Sequence, residues 1–418
     1  MNVEYELFLP ALKNEQVPWD RELTLQDWLA LFDMANRHRV LPMIYEVIYD
    51  CPAAQKQDPR FFVPFKQQAI RGVMLQTIKT NEFLQILQEM RQAGLQPLVI
   101  KGIVCRSLYP HPDHRTSGDE DVLIPPGQFD ACHRILKKHG LHPVDPAQDI
   151  HSAYEVSYRK ADSPIYIELH KSLFPPESAA YGDMNRFFAG ASSRAVTLTI
   201  DGSEIPTMCS TDHLFYLICH AFKHFLHSGF GIRQVCDIIL FANAHGREVD
   251  WQQVLNNCRE IHADLFAAAL FRIGQRYLTF DPDEACYPEQ WRSIRVDEQM
   301  LLTDILEAGI YGDGTMSRKH SSGITLNAVS AQKQGKAAGG SVLKTAFPPA
   351  DSLEARYPYL KQYPFLLPVA WASRLVKYRQ ETNGSADNDA MEAIAIGNHR
   401  VELLRQYHIV ETRKKGRE

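Results

Sequence analysis

The sequence predicts an α+β fold in which a small mixed β-sheet is flanked by N-terminal and C-terminal helical regions. Apolar residues recur at helical spacing before residue 95 and again from residue 211. Between these regions, short β-type segments carry continuous or alternating apolar residues. With 418 residues, the chain is long enough to form two or three domains with complete hydrophobic cores.

The N-terminal part of the chain is predicted to be helical. Thr24 is an N-cap candidate, and the apolar residues that follow it have helical spacing. A long amphipathic stretch over residues 70–94 stops at Gly94, because glycine favours the end of a helix.

The β-type segments lie in the central part of the chain. Residues 97–101 form a short apolar run that ends at Gly102, and this pattern predicts a buried strand followed by a short helix. The elements predicted after it are, in order, strand 119–124, helix 126–139, strand 153–158 and strand 165–170.

Helical spacing returns over residues 211–227 and 232–245. Residues 312–345 are rich in Gly, Ser, Lys and Ala and have few large apolar side chains, which favours a mobile loop. The predicted organisation is an N-terminal helical region (1–90), a β-sheet core (91–205), a helical domain (206–311), a flexible linker or loop (312–345) and a C-terminal helical segment (346–418).

Composition and charge limit the possible classes of function. The formal net charge of −5 gives no chain-wide attraction to nucleic acid. No run of roughly 20 apolar residues predicts a membrane span, and the N-terminus lacks the features of a signal peptide. The eight cysteines are scattered without a Cys-x-x-Cys spacing, as is typical of buried thiols. We therefore expect a cytoplasmic protein that does not bind membranes.

Two aspartates, Asp119 and Asp121, lie two residues apart in the predicted strand 119–124. In an extended strand their side chains share one face, while Val122 and Ile124 point to the other. Carboxylates this close raise each other's pKa unless a cation or a shared proton lies between them. The spacing therefore predicts a site for a divalent cation with oxygen ligands.

A third acidic residue, Glu168, lies in the predicted strand 165–170, on the same face as Tyr166 and His170. An acid in an otherwise apolar strand is costly unless it is solvated or paired. If this strand lies beside residues 119–124, Glu168 completes a three-carboxylate cluster that can hold two magnesium ions. The alternative is that Glu168 lies on the solvated face of a half-exposed strand.

Two further features are candidates for phosphate binding. Gly102 lies at a strand-to-helix junction, where backbone N–H groups can approach a phosphate. His220, Lys223, His224 and His227 form a stripe along one face of a predicted helix. This stripe either contacts phosphate or base in a catalytic cleft or is a polar face without a ligand. A zinc site at His220-x-x-x-His224 is a third possibility, although the acid of a protease motif is missing.

These features resemble the DNA polymerase β-like nucleotidyltransferase superfamily, in which a strand ending in glycine precedes a short helix, an Asp-x-Asp strand and a third acid on a later strand. The chain is still more similar to a bacterial family of uncharacterised nucleotidyltransferases. The resemblance covers residues 20 to 380 apart from 312–345. Its landmarks are Lys101-Gly102, Leu108-Tyr109-Pro110, Arg115-x-x-Gly118-Asp119-x-Asp121, Glu168-Leu169-His170, His220-x-x-Lys223-His224, the stretch from Arg233 to Asp237, and Leu367 to Trp371.

The resemblance implies that residues 91–205 are a nucleotidyltransferase core. It implies that Asp119, Asp121 and Glu168 are the catalytic residues and bind Mg²⁺ or Mn²⁺. Together with the helical stripe, it gives the nucleotide-binding candidates Lys101, Gly102, Arg115, Gly118, His170, Lys223 and His224.

Two positions depart from the superfamily pattern. Ile103 follows the glycine where a small Ser or Gly is usual, and Glu120 stands between the aspartates where an apolar residue is usual. Strict alternation would turn Glu120 toward the core. We therefore expect Glu120 to lie at the exposed entrance of the strand.

The predicted function is the transfer of a nucleoside monophosphate from an NTP to a hydroxyl acceptor, with release of pyrophosphate. A small-molecule or protein acceptor is favoured over RNA because the chain has no strong positive field. The alternative is a nucleotide-binding regulatory protein with weak or no catalysis, which Ile103 and Glu120 favour. A third interpretation is a scaffold in which the acidic strand occurs by chance.

Overall fold

The structure is a computed structural model that describes residues 3–13, 23–309, 316–334, 350, 353, 357–373 and 390–411. It confirms the α+β class, because a five-stranded mixed sheet and a separate two-stranded sheet lie between helical regions of the sequence. The predicted domain boundaries at residues 90, 205 and 311 stay predictions.

Helices account for most of the secondary structure. They are α1 (Leu9–Lys13), α2 (Leu25–Arg37), α3 (Leu41–Ile48), α4 (Pro52–Gln55), α5 (Pro59–Gln92), α6 (Ile103–Arg106), α7 (Phe129–Lys138), α8 (Ser210–His227), α9 (Ile232–His245), α10 (Trp251–Glu260), α11 (Asp264–Tyr277), α12 (Glu289–Arg292), α13 (Gln299–Ala308), α14 (Met316–Lys333) and α15 (Ala390–Gln406). A π-helix covers Glu4–Phe8, and residues 367–373 are also helical. Short 3-10 helices lie at Pro112–His114, Gly182–Phe188, Ala191–Arg194, Gly246–Glu248, Pro358–Lys361 and Pro364–Leu366.

The strands form two sheets. They are β1 (Leu98–Val99), β2 (Glu120–Leu123), β3 (His142–Pro143), β4 (Glu155–Arg159), β5 (Tyr166–His170), β6 (Val196–Ile200) and β7 (Ser203–Thr207). The five-stranded sheet has the order β1-β2-β5-β4-β3, and β6 pairs with β7 in the second sheet. Strands β2 and β5 are parallel, whereas every other pairing is antiparallel.

Local sequence signals set the ends of the N-terminal helices. The Thr24 side chain accepts a hydrogen bond from the Asp27 backbone N–H, and Asp27 binds the Thr24 N–H in return. This capping box confirms Thr24 as the N-cap of α2. Helix α5 ends at Gln92, and Gly94 adopts a positive φ of 77° just beyond it. The predicted stop at Gly94 is therefore confirmed.

One face of the five-stranded sheet is apolar and packs against α5 and α7. Val122 of β2, Val156 of β4 and Leu169 of β5 lie in this core with Phe83 of α5 and Leu136 of α7. The register places Val122 and Val156 opposite Leu169 on the two sides of β5. Because strand residues alternate, Asp121, Glu168 and His170 belong to the opposite face.

Residues 316–333 differ from the predicted flexible linker 312–345, because they form helix α14. The Ser321 hydroxyl donates to the Arg318 backbone carbonyl, and the Thr325 hydroxyl lies 3.1 Å from the His227 carbonyl at the end of α8. Gly397 of α15 lies against Ile324, where a Cβ atom would be 2.6 Å from Cδ1. Small residues here allow the helices to pack closely. Composition alone does not distinguish such a helix from a mobile loop. The other residues of that prediction lie outside the described ranges, apart from Gln334.

All eight cysteines are free thiols, and six of them are buried, as the prediction of buried thiols expects, whereas Cys286 is exposed. Among the residues that the structure describes, no helix combines the length and apolar character needed to cross a membrane.

Candidate metal and nucleotide site

Strands β2 and β5 bring two of the predicted acidic residues together. They are adjacent and parallel, with Asp121 directly opposite Glu168 in the register. Directly paired residues of neighbouring strands place their side chains on the same face of the sheet. The strand of residues 165–170 therefore lies beside residues 119–124, as a shared carboxylate site requires.

His170 joins these two carboxylates. Its Nε2 lies 3.2 Å from Asp121 Oδ1 and 3.7 Å from Glu168 Oε2. One ligand atom from each of Asp121, Glu168 and His170 lies within 4.8 Å of the other two. This spacing is short enough for one cation to bind all three residues after small side-chain movements.

Burial and charge set different protonation states for the two carboxyl groups. Burial would raise the pKa of Asp121, but the positive charge of Lys101 and the hydrogen bond with His170 hold it well below its usual value. Burial, followed by the charges of Asp121, Glu155 and Asp119, raises the pKa of Glu168 to about 9. Glu168 therefore keeps a proton at neutral pH in the protein without metal, and a bound cation would favour its loss.

Asp119 lies just before β2 and is half-buried. In the described part of the chain, it is not among the ligand atoms that come within 4.8 Å of one another. Its charge nevertheless acts on Glu168, because it contributes to the raised pKa of that residue. The structure thus places Asp119 near the group of Asp121, Glu168 and His170 but not within it. Its role as a metal ligand stays a prediction.

Glu155 is a fourth acidic residue at this site that the sequence analysis did not select. It is opposite His170 in the antiparallel pairing of β4 and β5. Its Oε2 lies 3.4 Å from His170 Nδ1, on the other side of the imidazole from Asp121. The alternation of residues 153–158 offered a signal, since it turns Glu155 away from the apolar face of Val156. The register that places it opposite His170 was not readable from that pattern.

Lys101 connects the sheet to helix α8. Its Nζ lies 3.1 Å from Asp121 Oδ2 and 3.3 Å from His220 Nε2. His220 Nδ1 in turn lies 3.2 Å from Gln234 Oε1. The amide oxygen of Gln234 only accepts, so Nδ1 carries the proton and Nε2 is free to accept from Lys101. This arrangement holds the Lys101 ammonium beside Asp121.

The polar stripe of α8 is half-buried on the side of the helix that faces this group. Burial lowers the pKa of His220 and of His224 well below the usual value, so both rings are neutral at neutral pH. Burial also lowers the pKa of Lys223, while Glu155 and Asp121 act in the opposite direction. Within the described residues, Lys223 forms no hydrogen bond or ion pair of its own. It is thus a cation beside the acidic group that a ligand can use.

The backbone at Gly102 lies against the carboxylate of Glu120. Gly102 has a positive φ of 55°, and a Cβ atom there would lie 1.8 Å from Glu120 Oε2. Glu120 Oε2 accepts a hydrogen bond of 3.0 Å from the Ile103 N–H. The N–H that was a candidate for phosphate binding already has an anionic partner, so the phosphate role of Gly102 stays a prediction.

Glu120 itself contradicts the expectation of an exposed position at the strand entrance, because it is 0 % exposed. It lies in β2 opposite Ile167, on the apolar face of the sheet. Arg106 Nη1 lies 2.7 Å from its Oε1, and the buried Lys79 Nζ lies 3.9 Å from the same atom. Alternation was therefore correct about the direction of this side chain, and two buried cations compensate its charge.

Arg115 and Gly118 lie in the loop before β2. Arg115 is 1 % exposed and forms a bidentate pair with Asp237, with 2.7 Å from Nε to Oδ1 and 2.5 Å from Nη2 to Oδ2. Tyr109 donates a third hydrogen bond to Asp237. Gly118 is exposed and lines a cleft of about 350 Å³ with Gln76 and Lys79. The predicted contact of Arg115 with phosphate would require breaking a complete internal pair.

We expect Arg115→Met to lower the free energy of unfolding by about 3–5 kcal/mol, because it removes the bidentate partner of the buried Asp237 carboxylate. The NTP affinity of the protein that remains folded should be unchanged. Denaturant titration and nucleotide binding measured by calorimetry check both parts. Lys223→Met is the matched control and should give the reverse result, with a weakened NTP affinity and little change in stability. A stable Arg115→Met protein that has lost NTP binding would instead support the phosphate role.

The fold and the site together define a class of protein, one in which a mixed sheet presents carboxylates and an imidazole to a helix face that carries Lys223. The family described as uncharacterised nucleotidyltransferase matches residues 24–279. This match covers more than half of the chain and includes every residue of the site, so the protein belongs to that family. No curated protein and no solved structure matches the chain.

Proposed function

We propose that the protein is a metal-dependent nucleotidyltransferase that moves a nucleoside monophosphate from an NTP to a hydroxyl acceptor and releases pyrophosphate. We further propose that its core belongs to the DNA polymerase β-like superfamily and that it acts in the bacterial cytoplasm. Membership of the nucleotidyltransferase family supports the reaction class. The nucleotide, the acceptor and the metal are parts of the proposal.

The observation that carries the proposal is the combination of a candidate metal group with a cation that lacks a partner. Asp121, Glu168 and His170 bring ligand atoms within 4.8 Å of one another. Lys223, on the facing helix, is half-buried, yet no ion pair in the described residues involves it. A half-buried cation near carboxylates that can bind a metal is suited to the charges of a nucleoside triphosphate and its metal ion.

The chain's own residues have separate roles in the proposed reaction. Asp121 and Glu168 would hold the divalent cation with His170, and Asp119 would contribute negative charge nearby. When bound, the cation would stabilise the negative charge that develops on the phosphate. Lys101, Lys223 and His224 would contact the phosphate oxygens.

Glu168 would also accept the proton of the attacking hydroxyl. Without metal its pKa is raised to about 9 by burial and by the neighbouring acids, and a bound cation would favour the ionised form that can accept a proton.

The acceptor is proposed to be a small molecule or a protein rather than RNA. A net charge of −5 gives no general attraction to a polyanion. The cations near the acidic group are few, and Lys101 is already paired with Asp121. They suit the phosphates of one nucleotide better than an extended nucleic-acid backbone.

A second candidate is a nucleotide-binding regulatory protein with weak or no turnover. The observation that favours it is the hydrogen bond from the Ile103 N–H to Glu120. This bond removes a backbone donor from a position where the superfamily resemblance implies a phosphate contact. The intact group of Asp121, Glu168 and His170 favours the enzyme.

Incubation of the purified protein with each α-labelled NTP, Mg²⁺ or Mn²⁺, and small-molecule or protein acceptors tests the proposal. We expect the label to be transferred to an acceptor and unlabelled pyrophosphate to be released in equal amount. Tight NTP binding without transfer to any acceptor would favour the regulatory protein. Failure to bind either NTP or metal would contradict both candidates.

A further inference from the structure

The imidazole of His170 is placed between acidic groups on both of its nitrogen atoms. Nδ1 lies 3.4 Å from Glu155 Oε2, and Nε2 lies 3.2 Å from Asp121 Oδ1. The His170 side chain is 4 % exposed, so solvent has little access to either nitrogen. An imidazole nitrogen that carries no proton directs a lone pair outward and can bind a metal ion. Binding a cation through Nε2 leaves the N–H of the ring on Nδ1, the nitrogen that faces Glu155.

A cation on the Nε2 side fits the acids on both sides of the ring. Glu155 would accept the Nδ1–H, and Nε2 would direct its lone pair at an ion that Asp121 and Glu168 also bind. An imidazole whose second nitrogen donates to a carboxylate is the common arrangement of histidines that bind metals. The strand register supports the same roles, since Glu155 is directly opposite His170 and Asp121 is directly opposite Glu168.

We propose that His170 is a metal ligand through Nε2, that Glu155 orients it, and that this nitrogen ligand makes the site select a first-row transition ion such as Mn²⁺ over Mg²⁺. This inference rests on the proposed function, because it concerns the metal of the same site. Mg²⁺ prefers oxygen ligands and keeps several waters. Imidazole nitrogen favours transition metals, and carboxylates accept Mn²⁺ as readily as Mg²⁺.

Mn²⁺ is the probe because it is paramagnetic. Pulsed electron paramagnetic resonance of the metal-stripped full chain loaded with Mn²⁺ should show coupling to a ¹⁴N nucleus. In protein grown with ¹⁵N-labelled histidine, that signal should be replaced by ¹⁵N coupling. This measurement uses the unaltered side chains, so it does not depend on whether a variant folds.

Three variants then test whether the nitrogen coupled to Mn²⁺ belongs to His170. His170→Gln should remove the coupling and reduce the ratio of Mn²⁺ affinity to Mg²⁺ affinity. Glu155→Gln should keep the coupling and weaken Mn²⁺ binding by about 10–100-fold, the usual effect of losing an outer partner of a metal-bound histidine. His142→Gln, at an exposed position on β3 of the same sheet, is the matched control and should change neither quantity.

The outcomes separate this inference from the function on which it rests. Mn²⁺ bound without nitrogen coupling, or coupling that persists in His170→Gln, would overturn the histidine ligand and leave a metal-dependent transferase possible. Equal affinity of the unaltered protein for Mn²⁺ and Mg²⁺ would overturn the proposed selectivity. A stripped protein that binds no divalent metal at all would overturn the proposed function as well.

Discussion

Asp121→Asn is expected to reduce nucleotidyl transfer by on the order of a thousandfold. Stabilisation of transition-state charge by a metal ion is worth several kcal/mol, and each 1.4 kcal/mol corresponds to about a factor of ten in rate. Asp121 contacts both His170 and Lys101, so removing its charge also affects two other residues of the site. Asparagine keeps the size of the side chain and removes its charge. The rate of label transfer from an NTP under saturating metal measures the effect.

Two measurements separate this effect from a loss of fold. Asp162→Asn is the matched control, because Asp162 is exposed on the turn that precedes β5. It should keep full transfer activity. The thermal unfolding midpoint of Asp121→Asn should show that the variant is folded, and calorimetry should show weakened binding of Mn²⁺. Transfer at the unaltered rate by a folded Asp121→Asn protein would remove Asp121 from the catalytic site.

The part of this site that alternation can predict is the direction of side chains along one strand. The two-residue spacing in Ser117–Ile124 and the alternating pattern of residues 165–170 predicted which residues share a face. The structure shows that these strands are neighbours, which the pattern left as a condition, and that Asp121 is opposite Glu168. It also keeps Val122 and Leu169 in the core, as the pattern predicted.

Contacts between distant segments could not be predicted in this way. Lys101 reaches His220 across 119 positions of the sequence, through the packing of α8 on the sheet. Glu155 reaches His170 through the register of β4 and β5. That register depends on the exact ends of the strands and on the turn between them, and neither follows from periodicity.

The prediction of a loop from composition was wrong for residues 316–333, which form helix α14. A segment with few large apolar residues was expected to be a loop, because it cannot bury much apolar surface. The structure instead packs α14 against α8 and α15 through small residues, including Gly397. Buried charges contribute as well, since Arg318 and Arg400 both contact Asp304. The pattern of apolar residues along the sequence does not predict buried ion pairs or close packing through small residues.

For Glu120, the alternation rule gave the correct side-chain direction, but the expected exposed position was wrong. Alternation turned its side chain toward the core, and the cost of a buried charge suggested an exposed position instead. The structure compensates that charge with residues from two other elements, Arg106 of α6 and Lys79 of α5. Neither partner is close to Glu120 in sequence. Their positions depend on how both helices pack on the apolar face of the sheet.

Glu120→Val is expected to lower the free energy of unfolding by about 3–5 kcal/mol, because removing one partner leaves a buried charge uncompensated. Among the described residues, the Arg106 guanidinium would keep its contacts of 3.0 Å with Ser117 Oγ and 3.1 Å with Thr80 Oγ1. The Ile103 N–H would lose its acceptor. Valine suits both the strand and its apolar face, so the loss would reflect the carboxylate rather than a poor fit. Denaturant titration measures the change.

Two comparisons make this result specific to the buried pair. Glu204→Val should cost about 1 kcal/mol or less, because Glu204 pairs with Arg91 at the surface, where ion pairs contribute little. The double variant Glu120→Val with Arg106→Met should be more stable than Glu120→Val alone, because no uncompensated guanidinium remains. It should not reach the stability of the unaltered protein, since the Ile103 N–H still lacks an acceptor and the buried Lys79 has lost the charge of Glu120. If Glu120→Val alone matched the unaltered protein in stability, Glu120 would not be the buried anion that organises the turn at Gly102.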